Sequence, residues 1–387
     1  MRGRRRILAR AVAIAACAAL TVTGAASCGG GGTTGTIVVP SDAPTIQAAV
    51  DDAAPGATIL IEPGTYRESV LVETPNLLIR GLDRNRVVLD GGFRTANGIE
   101  VDADGVAVQN LTVRHFTQNG VVFAGTPPEF GTETSRILNG YRVDHVTAYN
   151  NGLYGVYAFG ARNGLIQDVY ASGHPSSGVY VGRCKPCNVV VRRVVAERNA
   201  IGYYGTNASG DVYIVESVFR RNRLGVAPNS QNAERLAPQS RAVVAANLVE
   251  NNDDPATPEI PEGFFGGGIA VGGGERNLIT KNRVRGHVGF GIGVLVLGEF
   301  APALNVVRDN VVEGNGTDLY LRTPKATLDG NCFEGNTFST ADPPDIQQLA
   351  RCGAAPTSKV PAATFVAPVP PPGVSYKKVV APGPQSS

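Results

Sequence analysis

Short apolar stretches of three to five residues, rich in Val and Ile, recur along this chain between polar turns. The most regular follow a glycine: Gly98-Ile-Glu-Val, Gly155-Val-Tyr-Ala, Gly178-Val-Tyr-Val, Gly202-Tyr-Tyr-Gly, Gly225-Val-Ala, Gly268-Ile-Ala-Val and Gly291-Ile-Gly-Val. Gly120-Val-Val-Phe and Asp318-Leu-Tyr-Leu fit the same frame. Steps of 22 to 24 residues dominate, and the longer ones carry insertions. A fixed period in this range marks a solenoid, in which each repeat buries its apolar face only against its neighbours. The repeats contain β-branched strands and no helical period, so the predicted fold is all-β: a single-domain parallel β-helix.

A second motif precedes each glycine, a polar residue before a β-branched stretch, as in Asn110-Leu-Thr-Val, Asn247-Leu-Val and Asn310-Val-Val. Polar residues then return at Asn119, Asn151, His174, Asn199, Asn222, Asn251, His287 and Asn315. Equivalent positions in a β-helix stack about 4.8 Å apart, so these side chains are expected to form a ladder. His174 and His287 then read as ladder residues, and His145 as a turn residue in the slot of Asn110 and Asp168.

Strand side chains alternate between faces, so the residue two after each glycine points outward. In three consecutive coils it is Tyr157, Tyr180 and Tyr204, with Tyr320 further along. They are expected to form an exposed aromatic strip for stacking on sugar rings; the alternative is a cross-strand stack that only stabilises the sheet. Insertions at Ala124–Tyr141, Pro228–Arg241, Asp253–Gly267 and Leu297–Ala303 adjoin that same strand. Long insertions on one face of a solenoid mark a binding face.

Thr45-Ile-Gln-Ala-Ala-Val50 has a helical apolar face, with capping residues before it and Pro55-Gly56 after it, and is expected to close the first coil. Together with Pro63-Gly-Thr-Tyr-Arg-Glu68 and Leu77-Leu-Ile-Arg-Gly81, this opening resembles that of pectin-lyase-like right-handed β-helix proteins. That group includes pectate lyases, pectin methylesterases, mannuronan epimerases and NosD-type proteins. The resemblance covers most of residues 36–340 in repeat character and implies the fold and, in the enzyme branches, a polysaccharide substrate. Fold does not carry activity with it. The paired-aspartate motifs of the esterases, the Asp-Pro-His-Asp of the epimerases and the arginine signature of the lyases are missing. The copper link of NosD-type proteins lacks soft ligands here, since Met1 is the only methionine and the four histidines are scattered.

The ends add location. Arg2, Arg4, Arg5, Arg6 and Arg10 precede an apolar run, Ala11 to Val22, too short to span a bilayer, so residues 1–27 read as a signal peptide. Ala25-Ala-Ser-Cys28 resembles a bacterial lipobox with Ala25 in the usual leucine slot, which implies lipidation of Cys28; cleavage near Ala26 is the alternative. Residues 28–35 read as a Gly-rich tether, 36–352 as the β-helix domain and 353–387 as a Pro-rich disordered tail. Of 35 Lys+Arg, five leave with the signal, so 30 basic residues face 33 acidic ones and nucleic acid is not an expected partner. The even set Cys184, Cys187, Cys332 and Cys352 suggests bridges Cys184–Cys187 and Cys332–Cys352. A zinc shell around Cys184-Lys-Pro-Cys187 would need a second paired cluster, which is lacking.

No spacing singles out a catalytic residue. Glu129, Glu133, Glu234, Asp253, Asp254, Glu259, Glu262 and Glu299 are candidates only by lying in insertions, and Arg183, Asp211 and His174 by lying near the tyrosines in coil order. No metal or cofactor is expected. The expected role is binding, with or without processing, of an extracellular or envelope polysaccharide by an exported, lipid-anchored protein. A non-catalytic envelope scaffold that meets another protein on the same face is the alternative.

Overall fold

The computed structural model describes residues 32–126, 136–231 and 235–386. The signal segment and Cys28 lie outside the described residues, as do half of the 28–35 tether and Glu129, Glu133 and Glu234. Gly32 to Ser387 form one compact unit, a solenoid of twelve turns. Each full coil contributes one strand to each of three parallel sheets. The first sheet has 12 strands, from Thr36–Val39 to Cys332–Glu334. The second has 10, from Gly64–Tyr66 to Val311–Glu313, and the third has 11, from Val70–Val72 to Ala341–Asp342.

Alternation fixes the register. In the third sheet Val156, Val179, Tyr203, Val226, Ile269 and Ile292 stack in line and are fully buried in the interior. The residue after each points out of the solenoid. The repeat glycine just before this stack is required by close approach. A Cβ on Gly202 would lie 2.6 Å from the Gly225 carbonyl oxygen, and one on Gly225 would lie 2.5 Å from that of Gly268. Any side chain there would force neighbouring coils apart.

The polar turns form ladders, with two changes from expectation. The corner ladder runs Asn151, His174, Asn199, Asn222, Asn252, His287, Asn315 and stops at Asp318. Asn252 holds the rung expected of Asn251, which instead turns the chain at φ 52°. Asn119 bonds Asn97 outside this ladder. A second ladder joins Asn247, Asn282, Asn310 and Asn336, and a third joins Gln239, Asn277, Asn305 and Asn331.

Both ends are covered. Helix Ile46–Asp52 is capped by Thr45, whose hydroxyl accepts from the Ala48 N–H at 3.0 Å. Glu68, the last residue of the Pro63–Glu68 block, accepts from the N–H groups of Ile46 and Gln47 at 3.1 and 2.9 Å. That glutamate therefore satisfies orphan helix donors. Gln47 bonds the Leu71 backbone in both directions and so occupies the open edge of the third sheet. At the far end the Cys332–Cys352 disulfide holds helix Ile346–Leu349 over the last coil, and a second disulfide joins Cys184 to Cys187.

The segment 353–387 departs from the disorder expected of it. Through Ser386 it is laid back along the solenoid as an extended strap. Phe365 packs on Tyr320 at 4.8 Å, and the Val374 N–H donates to Thr257 O at 3.0 Å. Asn150 donates to Val379 O at 2.9 Å and Arg84 to Ser386 O at 2.8 Å. Its prolines restrict the free chain, so docking costs less entropy than an ordinary linker would lose.

Candidate functional site

The outer column of the third sheet reads Val122, Tyr157, Tyr180, Tyr204 and Ala227 in register, then Ala270, Gly293 and Tyr320. The three tyrosines do share one outward column, but they are not an exposed strip. Tyr180 and Tyr204 are only 5% and 4% exposed, and Tyr157 is half-buried. Insertion 253–267 covers them: Ile260 and Phe264 pack on the cluster formed by Tyr180, Ile201, Tyr204 and Leu224. Ile260 and Phe264 stand in an insertion outside the repeat, so no period in the sequence places them over the tyrosines.

Aromatic surface does remain accessible, shifted toward the first coils. Tyr154 stacks on Tyr157 with centroids 4.6 Å apart, Tyr157 on Phe159 at 5.5 Å, and the Arg183 guanidinium lies 5.0 Å over the Phe159 ring. These residues floor a cleft of about 520 Å³ whose opposite wall is Glu259, Ile260, Pro261 and Glu262. Gln231 closes one end, its amide donating to the Tyr204 hydroxyl at 2.6 Å. Tyr154 and Phe159 lie three before and two after Tyr157, and nothing in the repeat marked them. Burial raises the pKa of both Tyr154 and Tyr204, and Glu262 adds to the effect, so both hydroxyls stay protonated donors.

A second hollow adjoins this cleft at Tyr204. It has about 230 Å³ of space between Tyr204 and Tyr320, walled by Phe264, Phe265 and Phe290 and roofed by Phe365 and Pro368 of the strap.

The remaining candidates are held in structural roles. Burial lowers the pKa of His174 and of His287 to about 4, against the hydrogen bonds their rings donate to Asn199 Oδ1 and Asn315 Oδ1, so both are neutral ladder rungs. Asp211 pairs with Arg241, Asp253 accepts from the Val288 N–H, and Asp254 caps Ala256. Glu299 lies by Phe300 and Lys325, away from the cleft.

Among the described residues one cluster could offer metal ligands: Asp144, His145 and Asp168 bring donor atoms within 4.8 Å of one another at the corner between the first and second sheets. Its donors are already engaged. His145 Nδ1 meets Asp144 at 2.6 Å, Arg142 also pairs with Asp144, and Arg193 holds Asp168 at 2.7 Å. Burial alone would raise the Asp144 carboxyl, but bonds from Arg142, Gln167 and His145 hold it below the ordinary range; Arg193 does the same for Asp168. A cation would have to displace two guanidinium groups, so this donor set fits an ion-pair network better than a metal centre.

Comparison with known proteins agrees with the architecture. A family model described as right handed beta helix region matches residues 95–294. The A-module of a mannuronan C-5 epimerase from Azotobacter vinelandii is similar in structure. It shares 14% identity over 76% of this chain and 91% of that one, with a TM-score of 0.51. An alginate lyase from Paenibacillus sp. shares 17% identity over 75% of this chain and 98% of that one, with a TM-score of 0.50. A search of curated proteins finds no match to the chain. At such identities the likeness is one of fold.

Proposed function

We propose that this chain, which belongs to the right-handed β-helix family, is an exported protein that binds polysaccharide in the aromatic cleft of its third sheet. The observation that carries the reading is the contiguous Tyr154–Tyr157–Phe159 surface, with Arg183, Glu259 and Glu262 around it. Flat apolar rings beside a few directional polar groups match the two faces of a pyranose, whose C–H groups stack and whose hydroxyls need donors and acceptors. The similar structures named above belong to a mannuronan epimerase and an alginate lyase, which favours a glycan for a groove on the same fold.

Charge narrows the class. Among the described residues lining the cleft, one guanidinium faces two exposed carboxylates. That gives no surplus positive potential for a polyuronate, so a neutral or amino-sugar polymer suits it better. The basic start, short apolar run and Cys28 support export and a lipid anchor. No residue pair in the cleft is assigned a catalytic role.

The test is a glycan array probed with the intact exported chain and with Tyr157→Ala. Binding to neutral or amino-sugar polymers that Tyr157→Ala removes supports the reading. Binding unchanged by the substitution, or no glycan bound by the parent, would sink it and leave the protein-binding scaffold as the account of this face.

A further inference from the structure

The hollow beyond Tyr204 has a different chemistry from the cleft. In the outer column the positions between Tyr204 and Tyr320 are Ala227, Ala270 and Gly293, so over three successive coils the sheet presents almost no side chain. At about 4.8 Å per coil the two tyrosines stand roughly 19 Å apart, and the floor between them is bare. Bare sheet alone would be a shallow dent. Here Phe264 and Phe265 from insertion 253–267, Phe290 from the start of the strand that carries Gly293 and Phe365 from the strap surround it on the other sides. Phe365 contacts Tyr320 and Phe290 at centroid distances of 4.8 and 5.8 Å, so the roof is packed onto the wall.

The enclosed space is about 230 Å³. A dry apolar cavity of about 150 Å³ suffices for a benzene-sized ligand, so this one has room for a single aromatic ring or a short acyl chain. Asn229 and Arg322 are its polar lining residues, and Arg322 is exposed at the mouth. A sugar ring does not suit the interior, because its hydroxyls would lose water against phenyl faces without partners. The hollow and the cleft share Tyr204, one ring forming the end of both.

We infer that the hollow is a binding site in its own right for a small apolar group, a short acyl chain or a single aryl ring. The inference rests on the hollow alone: Ile260 and Phe264 pack over Tyr180 and Tyr204, between it and the accessible Tyr154–Tyr157 surface, so it stands apart from the glycan reading of the cleft.

Saturation-transfer NMR on the intact exported chain tests this with three probes: n-hexanol, hexyl β-glucoside and methyl β-glucoside. The expected result is transfer to the hexyl protons of both alkyl probes. Ala270→Phe, which fills the hollow, should abolish it. Phe365→Ala, which opens the roof from the surface strap and leaves the solenoid intact, should weaken n-hexanol binding at least fivefold. Transfer to n-hexanol that neither variant alters, or none in the parent, overturns the inference. Because n-hexanol has no sugar, its result is independent of the cleft. Loss of glycan binding in Tyr157→Ala with n-hexanol unchanged shows the two sites separately, and an array with no glycan hit removes the cleft reading alone.

Discussion

At the scale of single residues, His174 and His287 are buried rungs of the corner ladder, each ring donating to the asparagine of the next coil. His174 was readable as a rung because its period matched neighbouring asparagines, and the structure places it against Asn151 and Asn199. Tyr180 was readable as outward-facing, since alternation from a buried valine leaves no other choice. Its burial was not readable, because that depends on where Ile260 and Phe264 fold back, which no period specifies. The histidines also give a pH prediction. Burial depresses the pKa of each to about 4, below the unfolded value, so between roughly pH 6.5 and 4 the unfolded chain binds more protons. Their contribution is complete above pH 6.5 and is lost as pH falls through that window, by up to about 3 kcal/mol each. The double variant His174→Asn/His287→Asn keeps a ladder amide at both rungs. Its melting temperature should fall less between pH 7 and 4.5 than the parent's, and parallel curves would refute the assignment.

At the scale of elements, the ladders and the end cover carry stability that side-chain burial alone does not describe. Asn282 accepts from the Asn247 N–H and amide, and it donates to Val244 O and Asn310. Asn282→Ala leaves several of these fully buried groups without partners, at about 1–3 kcal/mol for each uncompensated one. The expected loss is at least about 2 kcal/mol in urea unfolding; a loss under 0.5 kcal/mol would contradict the ladder's role. The cover was legible at one end only in part. The helix over Ile46–Asp52 followed from its apolar face, whereas its cap from Glu68 joins residues 22 apart and needs the coil closed before it can be seen. At the other end, the Cys332–Cys352 bridge closes a loop of sequence separation 20, which corresponds to about 3 kcal/mol on the loop-entropy account. Cys332→Ser/Cys352→Ser should therefore speed hydrogen exchange at Phe333, whose N–H donates to Ala350 O, while exchange at Val179 is unchanged. Equal acceleration at both would mean that the bridge acts globally.

On the scale of the whole molecule, the repeat gives a stack of coils with one face made irregular, and the strap ties its last coils to its early ones. The solenoid was legible because its signal recurs in every coil. The strap was not, because Pro-rich sequence has the same composition free or docked, and docking here depends on distant partners such as Arg84, Asn150 and Tyr320. Truncation after Ala362 should leave the β-sheet circular dichroism intact and lower the melting temperature. Loss of only the bonds to Thr257, Asn150 and Arg84, at about 1 kcal/mol each, corresponds in a domain of this size to a fall of roughly 4 °C or more. A melting temperature within 1 °C of the parent would show that the strap rests on the surface without holding it. Among the described residues no helix is long and apolar enough to cross a membrane.

The central claim is that a glycan lies on Tyr154, Tyr157 and Phe159. The most direct measurement is calorimetric titration of the intact chain with the strongest array hit, comparing the parent with Tyr157→Ala and Glu262→Gln. Loss of the stacking ring should weaken binding about tenfold or more, and loss of the rim carboxylate should weaken it severalfold, with the β-sheet circular dichroism of both variants retained at the titration temperature. Equal affinity in the parent and Tyr157→Ala would contradict the account, because no glycan seated in this cleft could be indifferent to its floor.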